Sequence, residues 1–246
     1  MLAIFLSLIF LIIATRWITR PIEQLSTFIT SDIKDIIPDN NPALNNKDEI
    51  GLLARKFNDL LVDAQKYISR IEKTSIKDPL TNLYNRRHYS NIIDNEIKRC
   101  ARDKQVINFY YIDIDHFKKY NDNYGHDDGD NALKQVALQL IATTKRASDL
   151  SFRFGGEEFL IVAPTSTADG AYQLAERIRL DIERLNIVHA YNGETAQITV
   201  SIGLCSVLPG HQISSVEILK EADKQLYNTK RLGRNHVSQR VYGSNN

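Results

Sequence analysis

Two pairs of acids stand out in this chain. Asp113 and Asp115 end an apolar, aromatic run, and Glu157 and Glu158 follow directly on Gly155-Gly156. Carboxylates gathered at one place repel each other unless a cation sits among them. Hard oxygen donors select magnesium, with manganese as the alternative; both ions keep some water and take up substrate phosphates. Alternation along a strand sends Asp113 and Asp115 to one face and leaves the Ile114 carbonyl as a further oxygen ligand. Gly155 and Gly156 carry no side chain, so a phosphate or base can come close to that backbone. Two metals about 3.5–4 Å apart would suit an in-line displacement at phosphorus. A diglycine followed by acids also fits a plain solvated hairpin, so the neighbouring residues must decide.

Those neighbours favour a nucleotide. Lys118, Asn121, His126 and Asp130 follow Asp113 in a polar stretch, read as a loop around Gly125 and Gly129. Lys118, or Lys230 with Arg234, can hold a triphosphate. An Asn and an Asp, here Asn121 and Asp130, supply the donor and acceptor set of a guanine edge. Each residue alone reads as a solvated face or a helix cap, and Asp130 suits a first helical turn. Together they make a site.

These residues need a scaffold that brings two strand ends together. Helical spacing predicts helices over 90–102, 130–143, 167–185 and 214–230, and apolar runs predict strands over 106–113, 151–154, 158–163, 197–205 and 235–241. Gly155-Gly156 between two short strands is a hairpin signal. From the first of these strands on, the elements make an α+β domain whose core is the ferredoxin-like split βαβ arrangement with an antiparallel central sheet. In that arrangement the strands bearing Asp113 and Glu158 are central neighbours.

Upstream the pattern changes. Residues 1–15 are apolar except for Ser7 and Thr15, and Arg16, Trp17 and Arg20 follow. Continued to Ile18, a helix there would be about 27 Å long, slightly short of a hydrocarbon core of roughly 30 Å. Charges after the run, rather than before it, predict part of a transmembrane helix over 1–18 with its C-terminal end in the cytoplasm. Ile50, Leu53, Phe57, Leu60, Ala64, Tyr67 and Ile71 then recur in steps of three and four, a coiled-coil seam that implies a homodimer. The 246-residue chain is 43% hydrophobic, which excludes wholesale disorder, and its net charge of +1 excludes a dedicated nucleic-acid binder. Cys100 and Cys205, its two cysteines, form no close pair, so neither a disulfide framework nor a zinc knuckle is expected.

Two stretches resemble known families. Arg20-Pro21-Ile22, then Asp48-Glu49-Ile50-Gly51 with Leu53, Phe57 and Asn58, resemble a HAMP linker over 16–68, followed by a coiled-coil connector over 66–77. Asp78-Pro-Leu-Thr81, Asp113-Ile-Asp115-x-Phe117-Lys118, Tyr124-Gly-His126-x-x-Gly129-Asp130, Arg153-Phe-Gly-Gly-Glu157-Glu158-Phe159 and Ala222-Asp223-x-x-Leu226-Tyr227-x-x-Lys230-x-x-Gly233-Arg234 resemble a GGDEF domain, a nucleotidyl-cyclase, palm-like fold, over 75–241. Asn82 stands where that family usually has glycine, a turn position that tolerates it.

The second resemblance implies a diguanylate cyclase condensing two GTP into cyclic di-GMP with release of two pyrophosphates. It implies that Asp113, the Ile114 carbonyl and Glu157 hold two magnesium ions in each active site. Asn121 and Asp130 would read guanine with His126 nearby, and Lys118, Lys230 and Arg234 would hold phosphates. Glu157 or Glu158 would help deprotonate the ribose 3′-hydroxyl, and Lys118 would stabilise developing charge. Arg146-x-x-Asp149 has the spacing of the family's inhibitory product site, which Arg177 on the following helix would complete. The expected whole is the output of an inner-membrane receptor with its catalytic domain in the cytoplasm. The alternative is a catalytically silent domain of the same family that binds GTP or cyclic di-GMP.

Overall fold

The structure is a computed structural model that describes residues 49–165, 167–192 and 195–243. The expected transmembrane helix at 1–18, and the HAMP-like linker as far as residue 48, lie outside the described residues. Among the described residues no helix is long and apolar enough to cross a membrane. The chain divides into two units, Met1–Ser75 and Ile76–Asn246.

In the first unit, helix α1 (Glu49–Thr74) runs without a break, so the stretches expected as the end of the linker and as the connector are one element as far as Thr74. Leu53, Leu60 and Tyr67, three of the seam positions, are 57%, 68% and 70% exposed.

The second unit contains β1 (Tyr84–Asn85), α2 (Arg86–Arg102), β2 (Val106–Ile114), α3 (Phe117–Tyr124), α4 (His126–Thr143), β3 (Leu150–Gly155), β4 (Glu158–Thr165), α5 (Ala168–Glu183), β5 (Val200–Val207), α6 (Ser215–Arg231) and β6 (Val237–Tyr242). The strands form one six-stranded sheet in the order β1-β3-β4-β2-β5-β6. The four central strands are antiparallel, as expected, but β1 and β6 add to its edges in parallel, so the sheet is mixed. Strand β2 is buried along its whole length because helices cover both faces. Period-2 alternation divides its side chains between two cores. Tyr110, Ile112 and Ile114 pack with residues of α3, α4 and α5, and Ile107, Phe109 and Tyr111 pack with residues of α2 and α6.

Caps set where several helices begin. Asn85 accepts the His88 N–H at 2.9 Å ahead of α2. At α6, Ser214 and Glu217 exchange hydrogen bonds in a capping box. The stretch expected as a polar loop is helical instead, with α3 and α4 meeting at Gly125. Phe117, Tyr120 and Tyr124 recur at helical spacing, and burial of Phe117 and Tyr120 outweighs the polar residues between them.

Candidate active site

Asp113 lies one residue from the end of β2, directly opposite Glu158 of β4, so both side chains leave the same face of the sheet. That face carries α6, which Thr229 anchors by donating its hydroxyl to the Ile202 carbonyl at 3.1 Å. The next residue, Lys230, reaches Asp113 with Nζ 2.8 Å from Oδ1. Lys230 was expected among the phosphates; in this structure it neutralises the acid at the strand end. A carboxylate only 7% exposed needs a cation beside it, and Lys230 supplies one. Burial pushes the Asp113 carboxyl up to about 6; Lys230 opposes that rise, and the charges of Glu157 and Asp115 add to it.

The diglycine signal marks the hairpin, with its tip one residue later than expected. Gly155 pairs with Glu158 across the strands, so Gly156 and Glu157 form the tip and only Glu158 belongs to β4. Gly156 has φ +50°, a conformation that other residues adopt at a cost. The Ile114 N–H donates to the Glu157 carbonyl at 3.4 Å. The Ile114 carbonyl shares that strand edge, since the N–H and C=O of one strand residue point the same way. Among the described residues no three His, Cys, Asp or Glu side chains converge as a closed metal cage. Two carboxylates and a carbonyl form an incomplete all-oxygen set. That set fits a hard cation that fills its remaining positions with water and phosphate oxygens. Glu158 accepts from the Tyr111 hydroxyl at 3.4 Å, and burial raises that phenol's pKa.

Asp115 does not join this cluster. It is 1% exposed and accepts Thr199 Oγ1 and Ser201 Oγ, each at 2.7 Å, and the Asn235 N–H at 3.1 Å. These three donors occupy its carboxylate, so it is a buried structural acid.

The nucleotide candidates sit on α3, α4 and the turn after α6. Lys118 is exposed on α3, and His126 and Asp130 are exposed on α4. Asn121 packs so closely on Gly129 that a Cβ there would collide with Asn121 Oδ1. This close approach holds Asn121 beside the residue that precedes Asp130. Asn121 Oδ1 is buried without a hydrogen-bond partner, an acceptor with unmet capacity. Arg234 has φ +66°. Burial holds the His116 pKa down, and the nearby Arg234 charge lowers it further, which places Arg234 near the start of α3.

Sequence reasoning used Arg153 and Asp78 only as parts of motifs, and the structure gives them work. Arg153 donates to the Gly156 carbonyl from Nη2 at 2.9 Å and Nε at 3.1 Å, and pairs through Nη1 with Asp78 Oδ1 at 3.1 Å. Asp78 in turn accepts the Thr81 N–H at 2.9 Å and Thr81 Oγ1 at 2.7 Å. The hairpin tip is thereby tied to the segment ahead of β1. An arginine two residues before a diglycine was the available signal.

The structure also brings Arg146, Asp149 and Arg177 together. With Lys145, Thr165 and Gln173 they line a cavity of about 370 Å³. Asp149 Oδ2 accepts the Arg146 N–H at 3.1 Å, whereas its Oδ1 is buried and unpartnered. Burial raises the Asp149 pKa.

The chain is 39% identical over 163 residues to the response regulator PleD of Caulobacter vibrioides, covering 66% of this chain and 36% of PleD. It is 34% identical over 220 residues to the diguanylate cyclase VdcA of Vibrio cholerae, covering 88% of this chain and 61% of VdcA. It thus spans only part of each relative. Among solved structures, the GGDEF domain of DgcB from Caulobacter crescentus, in complex with c-di-GMP, superposes with a TM-score of 0.60 at 32% identity, covering 67% of this chain and 95% of that one. The profile described as "Diguanylate cyclase, GGDEF domain" matches residues 75–236, and the chain belongs to that family.

Proposed function

We propose that this chain is a diguanylate cyclase that joins two GTP molecules into cyclic di-GMP. The reading rests on one observation: Asp113 and the hairpin acids meet at neighbouring strand ends, with a lysine balancing the buried charge. Asp113, the Ile114 carbonyl and Glu157 are the donors that would hold two magnesium ions. These ions would supply charge neutralisation on the triphosphate and acidify the attacking hydroxyl. Asn121 and Asp130 orient the guanine, with His126 at the rim. Lys118 and Arg234 hold phosphates, and Lys230 is free to join them once Asp113 has another cation. Glu157 or Glu158 accepts the proton of the ribose 3′-hydroxyl, which attacks the α-phosphorus of a second GTP and expels pyrophosphate.

Each domain holds one GTP, so closing the ring takes two domains facing each other. The exposed seam of α1 supports a parallel homodimer, which raises the local concentration of one site at the other. The HAMP-like stretch and the apolar N-terminal run support a receptor of the inner membrane with this domain in the cytoplasm. The cavity at Arg146, Asp149 and Arg177 is the candidate site for product inhibition.

Glu157→Gln keeps the size of the side chain and removes its charge. Turnover of GTP by the full chain should drop roughly 10²–10⁴-fold, the range of a positioned general base, with the melting temperature nearly unchanged. Product formation at the parent rate would refute the reading.

A further inference from the structure

Gly233, Arg234 and Asn235 have φ values of +114°, +66° and +47°. Three successive residues in the left-handed region, two of them with side chains, persist only when their surroundings hold them. Two distant elements do so here. From the end of β2, Asp115 accepts the Asn235 N–H at 3.1 Å, across 120 positions of sequence. From α5, Arg179 Nη1 donates to Asn235 Oδ1 at 2.9 Å, and Glu183 Oε1 accepts from Asn235 Nδ2 at 3.1 Å. Arg179 is itself gripped by Glu176 and Glu183, each at 3.1 Å, and its side chain is only 14% exposed. Asp115 meets no cation within ion-pair distance among the described residues. A buried acid held by hydrogen bonds alone is an expensive way to fill a core position. The chemistry described above uses neither group of residues. What both secure is Asn235, the residue directly after Arg234, and on its other side the Arg234 N–H donates to the Thr229 carbonyl at 3.2 Å.

We infer that Asp115, Asn235 and the Arg179–Glu183 pair form a latch that positions Arg234 for the triphosphate of the substrate. The inference rests on the proposed role of Arg234 as a phosphate grip. With the Arg234 N–H held by the Thr229 carbonyl and Asn235 held by the latch, both soft dihedrals of Arg234 are fixed before substrate arrives, so binding does not have to order that turn. Asp115, Asn235, Arg179 and Glu183 are positioning residues; Arg234 makes the contact.

Asn235→Gly tests this, because glycine accepts the positive φ and the variant loses only the side chain that α5 holds. Binding to the full chain is measured for a non-hydrolysable GTP analogue and for GMP, so no turnover is needed. The latch predicts that affinity for the triphosphate analogue falls about tenfold, as for a charge-assisted contact loosened rather than removed. Affinity for GMP should change less than twofold. Steady-state kinetics should show the loss in KM for GTP rather than in kcat. Asn235→Asp combined with Glu183→Gln keeps the bond donated by Arg179 and rebuilds the bond between positions 235 and 183 with donor and acceptor exchanged, and should restore triphosphate affinity. Equal losses for both ligands, or a lower melting temperature with unchanged triphosphate affinity, would overturn the latch and leave only a structural tie. A parent chain that bound the analogue no better than GMP would remove the phosphate role of Arg234 and the latch with it.

Discussion

Asp113 has to stay ionised to bind a cation, yet its site favours the proton. With its carboxyl pushed up to about 6, protonation would compete with a bound cation near that pH. The sign is definite. The ionised fraction rises as pH rises through about 6, so at low magnesium the rate should fall below that pH. More magnesium should move this acid limb to lower pH, because the cation displaces the proton. The same shift acts on stability. A raised folded-state pKa means that the contribution of Asp113 to the ligand-free domain is greatest at low pH and is lost as pH rises through about 6. Magnesium should therefore raise the melting temperature more at pH 7.5 than at pH 5.5. A limb that stays in place at every magnesium concentration would separate Asp113 from the metal. The juxtaposition of Asp113 with the hairpin acids was legible in sequence, because Gly155-Gly156 marks a hairpin whose second strand neighbours that of Asp113 in the expected fold. Asp115 was not: its partners Thr199, Ser201 and Asn235 lie 84 to 120 positions away, and strand alternation says nothing of hydroxyls on another strand.

At the scale of elements, most of the sheet was readable, since runs such as 106–113 and 158–163 are apolar and bounded by turn residues. The junction of α3 and α4 was not, because eight residues rich in Asn, Asp and Lys look like a loop until Phe117 and Tyr120 are seen to be buried. Strand β1 has two residues and carries no periodicity at all. The cavity behind Arg146 also belongs to this scale, being made by the connection from α4 to β3, the end of β4 and the face of α5. Arg146→Ala removes its guanidinium and leaves Asp113 and Glu157 in place. The initial rate should stay normal, and the concentration of product needed for half-inhibition should rise roughly 10- to 150-fold. Titration of cyclic di-GMP under initial-rate conditions reads this directly. Equal inhibition of variant and parent would make Arg146 an ordinary surface arginine.

For the whole molecule, the proposed reaction makes one domain half of an active site. Leu53 and Leu60 share the exposed stripe of α1, and charges at both positions should separate the protomers. With Leu53→Glu and Leu60→Glu together, sedimentation should report monomers. Activity at micromolar protein should drop on the order of 10³-fold, the gap between that concentration and the millimolar level a tether provides, and should recover as protein is added. Retention of the dimer would place its interface elsewhere. The central claim, that two GTP molecules are joined through their α-phosphates, is tested most directly by following label. The full chain is incubated with magnesium and GTP labelled at either the α- or the γ-phosphorus. The account predicts a cyclic product that holds two α labels and no γ label, with one pyrophosphate released for each GTP consumed. Orthophosphate bearing the γ label, or bound GTP recovered intact, would contradict it.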